Sequence, residues 1–214
     1  TLWAHQIKTP IAAMALLLQS EKNCESRDEM QMELFKIEQY VEMVLMFLRL
    51  DSASTDYVIQ EYDLDRIVKQ AVKKYASQFI NKKIQLRYHP LNTTVLTDEK
   101  WLLFVLEQVL SNALKYTPKG SKIEIYARKE NQMIAISIAD NGKGIADCAK
   151  EKIFDMFYTA DSKVADSRRG LGLGLFLCKS IIQAHGGTIQ VADNVPHGTI
   201  FTFTLQAEEV TLNE

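Results

Sequence analysis

What is scarce in this chain narrows its class before any motif is read. Three cysteines, Cys24, Cys148 and Cys178, stand far apart among 214 residues, with no Cys-x-x-Cys pair. This excludes a disulfide framework and a thiolate zinc site, and fits reduced thiols in a cytosolic setting. Four histidines, at positions 5, 89, 185 and 197, show no metal-ligand spacing. No stretch reaches the roughly 18 consecutive apolar residues of a membrane span, and no signal-peptide pattern opens the chain. A dominant charge is missing too. Lys and Arg number 25 against 27 Asp and Glu, for a formal net charge of -2, which leaves no basic footprint for nucleic acid. Repeats and low-complexity tracts are absent, and the length is enough to bury a real core in one or two domains.

What is present begins with amphipathic helices. Ile7, Ile11, Met14 and Leu18 recur at spacings of four, three and four, the stripe of a helix over residues 2 to about 22. Thr1 falls inside that helix with no capping residues before it, so the chain is expected to be an excised fragment. Pro10 should bend the helix locally. A second stripe, Leu34, Ile37, Val41, Val44 and Leu48, completes a helical hairpin. Its coiled-coil-like seam is expected to pair with a second copy into a dimeric four-helix bundle, in preference to packing on the rest of the chain. The polar stretch Asp51–Tyr57 marks the boundary. The expected division is a hairpin at 1–52, a linker at 53–60 and a mixed α and β domain at 61–214.

In the second part, Asp63 or Asp65 is expected to cap a helix running to about Ile80, and Asp98 one running to Tyr116. Residues 83–89 and 94–97 read as strands, 122–128 and 133–139 as a hairpin, and 188–192 and 199–205 as another. Residues 141–169 read as a polar, irregular lid, followed by a helix from about Leu171 to Ala184. Sequential strand pairs with helices between them imply an α+β sandwich with its helices on one face.

Three groups of residues carry chemistry. Gly170-Leu171-Gly172-Leu173-Gly174 precedes a helix, so its backbone N–H groups can cradle phosphate, or serve simply as a flexible helix start. It is neither a Walker A loop nor a dinucleotide fingerprint. Asp140-Asn141-Gly142-Lys143-Gly144-Ile145 ends an apolar strand. Its carboxylate can accept a hydrogen bond from an exocyclic amine such as that of adenine, although Asn-Gly is also an ordinary hairpin turn. On the helix before it, Gln108 and Asn112 lie four apart on one face. Their amide oxygens can hold a hydrated Mg²⁺, with Lys115 near to neutralise phosphate, or they form a solvated stripe.

With His5-Gln6-Ile7-Lys8-Thr9-Pro10 added, the chain resembles the catalytic core of bacterial sensor histidine kinases over nearly its full length. The His5 segment resembles the family's H box and Asn112-Ala113-Leu114-Lys115-Tyr116 its N box. Asp140–Gly144 resembles its first G box, Phe154–Phe157 its F box and Gly170–Gly174 its second G box, while Gly198-Thr199 matches a further element. The resemblance implies a dimerisation and phosphotransfer hairpin followed by a Bergerat-type ATP-binding domain. It implies ATP and Mg²⁺ as cofactors, adenine contact at Asp140, metal coordination at Asn112, joined by Gln108, and phosphate contacts at Lys115 and the lid. Tyr116, Gly142, Gly144, Ile145, the glycines and leucines of Gly170–Gly174, and Thr199 complete the expected nucleotide site. Arg168 and Arg169, just before the glycines, suit the γ-phosphate because a guanidinium binds its oxygens in a fork. Phe154 and Phe157 are read as hinge or core anchors.

His5 is the expected phosphoacceptor, about 200° around the helix from Ile7 and so facing away from the seam. A neutral imidazole nitrogen is plentiful at cytosolic pH. Thr9, one turn on, matches the position from which the family orients water for dephosphorylation. Three departures stand out. Gln6 replaces a common acid beside the histidine, Gln108 a common asparagine, and Leu171 a frequent threonine. A response-regulator receiver domain is the implied partner, and the fragment would be the cytoplasmic portion of a protein anchored upstream in the cell membrane. The stretch from His5 through Tyr62-Asp63-Leu64-Asp65 looks most like Firmicutes kinases that respond to peptide antibiotics. Two alternatives are a related ATPase and an ATP-binding pseudokinase scaffold. The ATPases place a water-activating glutamate where this chain has Gln108, which cannot act as a base. Glu107, one residue away, points about 100° elsewhere.

Overall fold

The computed structural model describes Ile11, Met14, Leu16 and Leu18 and the segments 27–50, 57–159 and 172–207. The chain divides into two compact units, Thr1–Thr55 and Asp56–Glu214. In the first, Ile11, Met14, Leu16 and Leu18 are helical, and α1 (Arg27–Leu50) runs 24 residues, about 36 Å. Of its apolar residues Leu34, Met43 and Met46 are buried, while Met30, Ile37, Val44 and Leu48 are exposed. Met30, Ile37 and Val44 are seven apart and Leu48 is one turn further, so they form one face.

In the second unit, β1 (Gln60–Asp63) leads into α2 (Leu64–Lys74), then α3 (Ala76–Asn81), β2 (Gln85–Tyr88), β3 (Thr94–Thr97) and α4 (Glu99–Tyr116). There follow β4 (Lys122–Glu130), β5 (Met133–Asp140), the short α5 (Asp147–Lys150), a 3₁₀ turn (Lys152–Phe154), α6 (Gly174–Ala184), β6 (Ile189–Asp193) and β7 (Thr199–Gln206). Asp63 caps α2 by accepting the Arg66 N–H, and Asp98 caps α4 by accepting those of Lys100 and Trp101, each satisfying helix-start donors that would otherwise lack partners. Asp65 has a different role. It is buried, and its two oxygens accept the Leu91 and Asn92 N–H groups, fixing the loop before β3.

The main sheet has the order β2-β4-β5-β7-β6, with β2 parallel to β4 and the other pairs antiparallel. Register places Ile125, Ile138 and Phe201 side by side, and likewise Ile136 and Phe203, and Ile134 and Leu205. All are buried, forming one apolar layer. The helices α2, α4 and α6 pack in sequence, with α4 also against β5.

The α+β reading stands, with three local corrections. The helix expected from Asp63 to Ile80 breaks at Tyr75, which leaves the helical region (φ -100°, ψ 8°). Its ring is fully buried, and that burial fixes the chain direction against continued helical pairing. The strands at 85–88 and 94–97 do not pair with each other. The first adds in parallel to β4, and the second forms a separate ribbon with the unforeseen β1. The stretch after β5 is not wholly irregular, since it contains α5 and the 3₁₀ turn, and the following helix starts at Gly174.

Candidate nucleotide site

The inward row of β5 reads Ile134, Ile136, Ile138, Asp140. With a period of two, Asp140 continues an apolar stripe onto the helix-covered side of the sheet. It is 4% exposed. Its Oδ1 accepts the Gly142 N–H at 2.7 Å, and the Thr199 backbone N–H also bonds the carboxylate. Burial raises its pKa above the ordinary carboxylate value, while the two N–H groups act in the opposite direction. The Asn194 side-chain amide donates to the Asp140 carbonyl at 2.9 Å. Asn141-Gly142 is not a hairpin turn, because the antiparallel partners of β5 are β4 and β7.

Glycine is required around this carboxylate for lack of room. A Cβ on Gly142 would lie 2.7 Å from Asp140 Oδ1 and 2.8 Å from the Tyr116 carbonyl oxygen. At Gly198, with φ +119°, it would lie 1.9 Å from the Asp140 carbonyl oxygen. The end of β5, the start of β7 and the end of α4 therefore meet at backbone distance. Lys82, donating to the Leu114 and Thr117 carbonyls, closes the C-terminus of α4.

Helix α4 supplies the second wall. Gln108 and Asn112 share a face, and Lys115 and Tyr116 follow within one to two turns. The ammonium groups of Lys115 and Lys143 lie 4.9 and 4.7 Å from the Tyr116 ring centroid, within cation–π range. Two positive charges thus converge at the aromatic ring that begins at the end of α4, next to Gly142. Gln108 is buried and Asn112 half-buried. Both offer neutral oxygen donors of the hard kind Mg²⁺ prefers. Among the described residues no group of three His, Cys, Asp or Glu could hold a metal, so a cation here would depend on these amides, on waters and on phosphate.

Glu107, one position before Gln108, turns away from this wall. Its Oε2 pairs with Lys74 Nζ of α2 at 2.6 Å. Thr199 is buried beside Asp140 through the sheet register, Gly144 (φ +72°) and half-buried Ile145 follow Gly142, and Leu173 is buried. Gly172 has φ +68°, and its carbonyl accepts the Phe157 N–H at 2.9 Å. Of the two expected anchors, Phe154 is in the core, edge-on to Phe201, whereas Phe157 is exposed with φ +63°. His5, Gln6, Thr9, Arg168, Arg169, Gly170 and Leu171 lie outside the described residues. Sequence reasoning gave no role to Lys143 or Asn194. For Lys143 the signal was available, a lysine between two glycines beside the carboxylate. For Asn194 there was none, since its contact spans 54 positions.

Residues 97–209 match the histidine kinase-, DNA gyrase B- and HSP90-like ATPase family. The chain belongs to this family. Its relatives are sensor histidine kinases, and it corresponds to their catalytic core. It is 32% identical to the sensor-like histidine kinase SenX3 of Mycobacterium tuberculosis across 95% of this chain and 52% of that protein. It is 30% identical to the sensor protein BceS of Halalkalibacterium halodurans across 96% of this chain and 61% of that one. Against Clostridium acetobutylicum KdpD the identity is 36% over 78% of this chain and 19% of the relative. The chain thus spans from about a fifth to three fifths of the length of these relatives. Among solved structures, full-length ShkA in complex with AMPPNP superposes with a TM-score of 0.71 at 26% identity, over 97% of this chain and 45% of that one.

Proposed function

We propose that this chain is the kinase core of a two-component sensor histidine kinase, which binds ATP at the Asp140 site and phosphorylates His5. The observation that carries this reading is the buried Asp140 carboxylate at the end of β5, able to accept from the adenine amine, with Lys115 and Lys143 beside Tyr116 for phosphate. Bound Mg²⁺, held by Asn112 and Gln108, would supply neutralisation of phosphate charge. The family's backbone cradle at Gly170–Gly174 and the guanidinium groups of Arg168 and Arg169 would hold the transferred group. The transfer forms a bond from an imidazole nitrogen of His5 to the γ-phosphorus, breaks the bond to the bridging oxygen, releases ADP and gives the imidazole proton to solvent. Positioning and charge neutralisation carry most of such a reaction.

From His5 the phosphoryl group would pass to an aspartate of a response-regulator receiver domain, and Thr9 would orient water when the partner is dephosphorylated. The exposed face of Met30, Ile37, Val44 and Leu48 supports a homodimer closed by a four-helix bundle, since single helices do not leave such stripes bare in water. The hairpin is assigned to 1–52, the linker to 53–60 and the catalytic domain to 61–214. No helix among the described residues is long and apolar enough to cross a membrane, and any anchor is assigned upstream, with this fragment on the cytoplasmic side. Hydrolysis as the main activity is disfavoured by Gln108, which cannot act as a base, and by the Lys74–Glu107 pair, which engages the carboxylate next to that position. The test is transfer from γ-labelled ATP. Acid-labile label on the wild type and none on His5→Ala is expected. Label that persists on His5→Ala would overturn the assignment.

A further inference from the structure

Tyr57 and Val58, within the stretch assigned to the linker, are tied into the nucleotide-binding unit at a point remote from the nucleotide site. The Tyr57 ring lies 5.1 Å from Trp101 and 5.0 Å, edge-on, from His185. The Val58 N–H donates to Asp98 Oδ2 at 3.0 Å, while Asp98 Oδ1 accepts the Lys100 and Trp101 N–H groups at the start of α4. The Asp98 N–H in turn donates to His185 Nε2 at 3.4 Å. His185 Nδ1 is 2.8 Å from the Ile181 carbonyl oxygen. A carbonyl only accepts, so Nδ1 carries the proton and Nε2 is free to accept from Asp98. One cluster thus joins the segment before β1, the N-cap of α4 and the C-cap of α6. Asp98 is about 15 Å along α4 from Gln108, and His185 a similar distance along α6 from Gly174. The cluster can be undone without touching the nucleotide residues.

We propose that the Tyr57–Trp101–His185–Asp98 cluster is a latch and that Tyr57 is a positioning residue for histidine phosphorylation, an inference that rests on the kinase reading above. With the latch closed, the connection from the preceding unit ends at Tyr57. With it open, residues 57–59 join the connection, adding up to about 10 Å of extended chain. Local concentration across a connection falls as it lengthens, so releasing residues 57–59 slows delivery of nucleotide to the histidine, by about twofold or more once loss of orientation is included.

Two variants test this independently. Tyr57→Ala removes the ring contacts. Asp98→Asn keeps size and helix cap, because asparagine caps as well as aspartate, but turns an NH₂ group toward the Val58 N–H in place of an acceptor. Amide exchange at Val58, affinity for a fluorescent ATP analogue and initial labelling of His5 at saturating ATP are measured for both, with Tyr57→Phe as the conservative control. Both variants are expected to lose Val58 protection at least about tenfold, to hold nucleotide affinity within about twofold, and to label about twofold or more slowly. Tyr57→Phe should match wild type in all three. Val58 amides exposed in wild type, or still protected in both variants, would overturn the latch. Unchanged labelling despite lost protection would overturn the positioning role. Should Tyr57→Ala fail to fold, Asp98→Asn decides. A wild type without histidine label refutes the kinase reading and the positioning role with it, while exchange at Val58 still judges the latch.

Discussion

Replacing Asp140 by asparagine isolates what the buried carboxylate does. The side chain keeps its shape and one oxygen, so the 2.7 Å bond from the Gly142 N–H survives, while the second oxygen becomes an NH₂ group. Removing a charge that burial disfavours offsets the hydrogen bond lost within the fold, and the change in unfolding free energy should stay within about 1 kcal/mol. Nucleotide binding has no such compensation. A purine amine that donated to a carboxylate now meets a donor, and a charge-assisted hydrogen bond of about 1.5–3 kcal/mol is lost, a rise in Kd of about 10- to 150-fold. Calorimetric titration with ATP and denaturant unfolding of the same preparation separate the two effects. Binding within threefold of wild type would refute the assignment of Asp140 to the nucleobase.

The same residue gives a pH signature. Because its pKa is raised in the folded protein, acidification protonates it before an ordinary carboxylate, and ATP affinity should fall as pH drops through that raised value. Its contribution to folding has the opposite sign. The folded state holds this proton more tightly than the unfolded chain, so the stabilisation is fully present below the unfolded pKa and is lost as pH rises through the folded one. Both dependences should disappear in Asp140→Asn, and a binding profile unchanged by that substitution would show that another group titrates.

Lys74→Met deprives the Glu107 carboxylate, only 9% exposed, of its ammonium 2.6 Å away. Because Lys74 is partly solvated, the expected cost is about 1–3 kcal/mol in urea unfolding, largely recovered in the double variant with Glu107→Leu, and Glu107→Gln should leave histidine labelling unchanged. Gly198→Ala places a Cβ 1.9 Å from the Asp140 carbonyl oxygen at φ +119° and should cost at least about 3 kcal/mol. Gly120→Ala, at φ +79° with open space around it, should cost only about 1 kcal/mol. Equal thermal shifts for the two glycines would refute the crowding argument. Gln6→Glu supplies a base beside the histidine and should raise the autophosphorylation rate, while an unchanged or lower rate would show that the imidazole proton leaves by another route.

The features legible in the sequence are those whose physics is local. The apolar run of 133–139 announced a strand with a carboxylate at its end, and the four-residue step from Gln108 to Asn112 fixed a shared helix face. Asp63 or Asp65, and Asp98, announced helix starts because an N-cap needs only the next three residues, and the structure makes Asp63 the cap. The pattern fails where a segment's partner is distant. β1 is four residues long and pairs with β3 more than thirty positions away. The parallel union of β2 and β4 depends on register across a helix, and the break at Tyr75 is hidden because the apolar period continues through it. Gly198 was visible as a motif member, but its crowding against Asp140 arises from a strand pairing that no local window contains.

Asp98 shows the limit within a single side chain. A carboxylate has two oxygens, and helix capping uses one, satisfied by donors two and three residues ahead. The other is taken by Val58, 40 positions back, in a stretch whose polar, aperiodic composition reads as a boundary. Composition reports that such a segment lacks a core face of its own. It does not report that its backbone N–H and one aromatic ring can be held by the ends of two helices already fixed for other reasons. A boundary inferred from polarity therefore marks where a hydrophobic pattern stops, and the point where the chain becomes mechanically part of the next domain must be found from hydrogen-bond partners. Here those partners put it at Tyr57, three residues before the first strand.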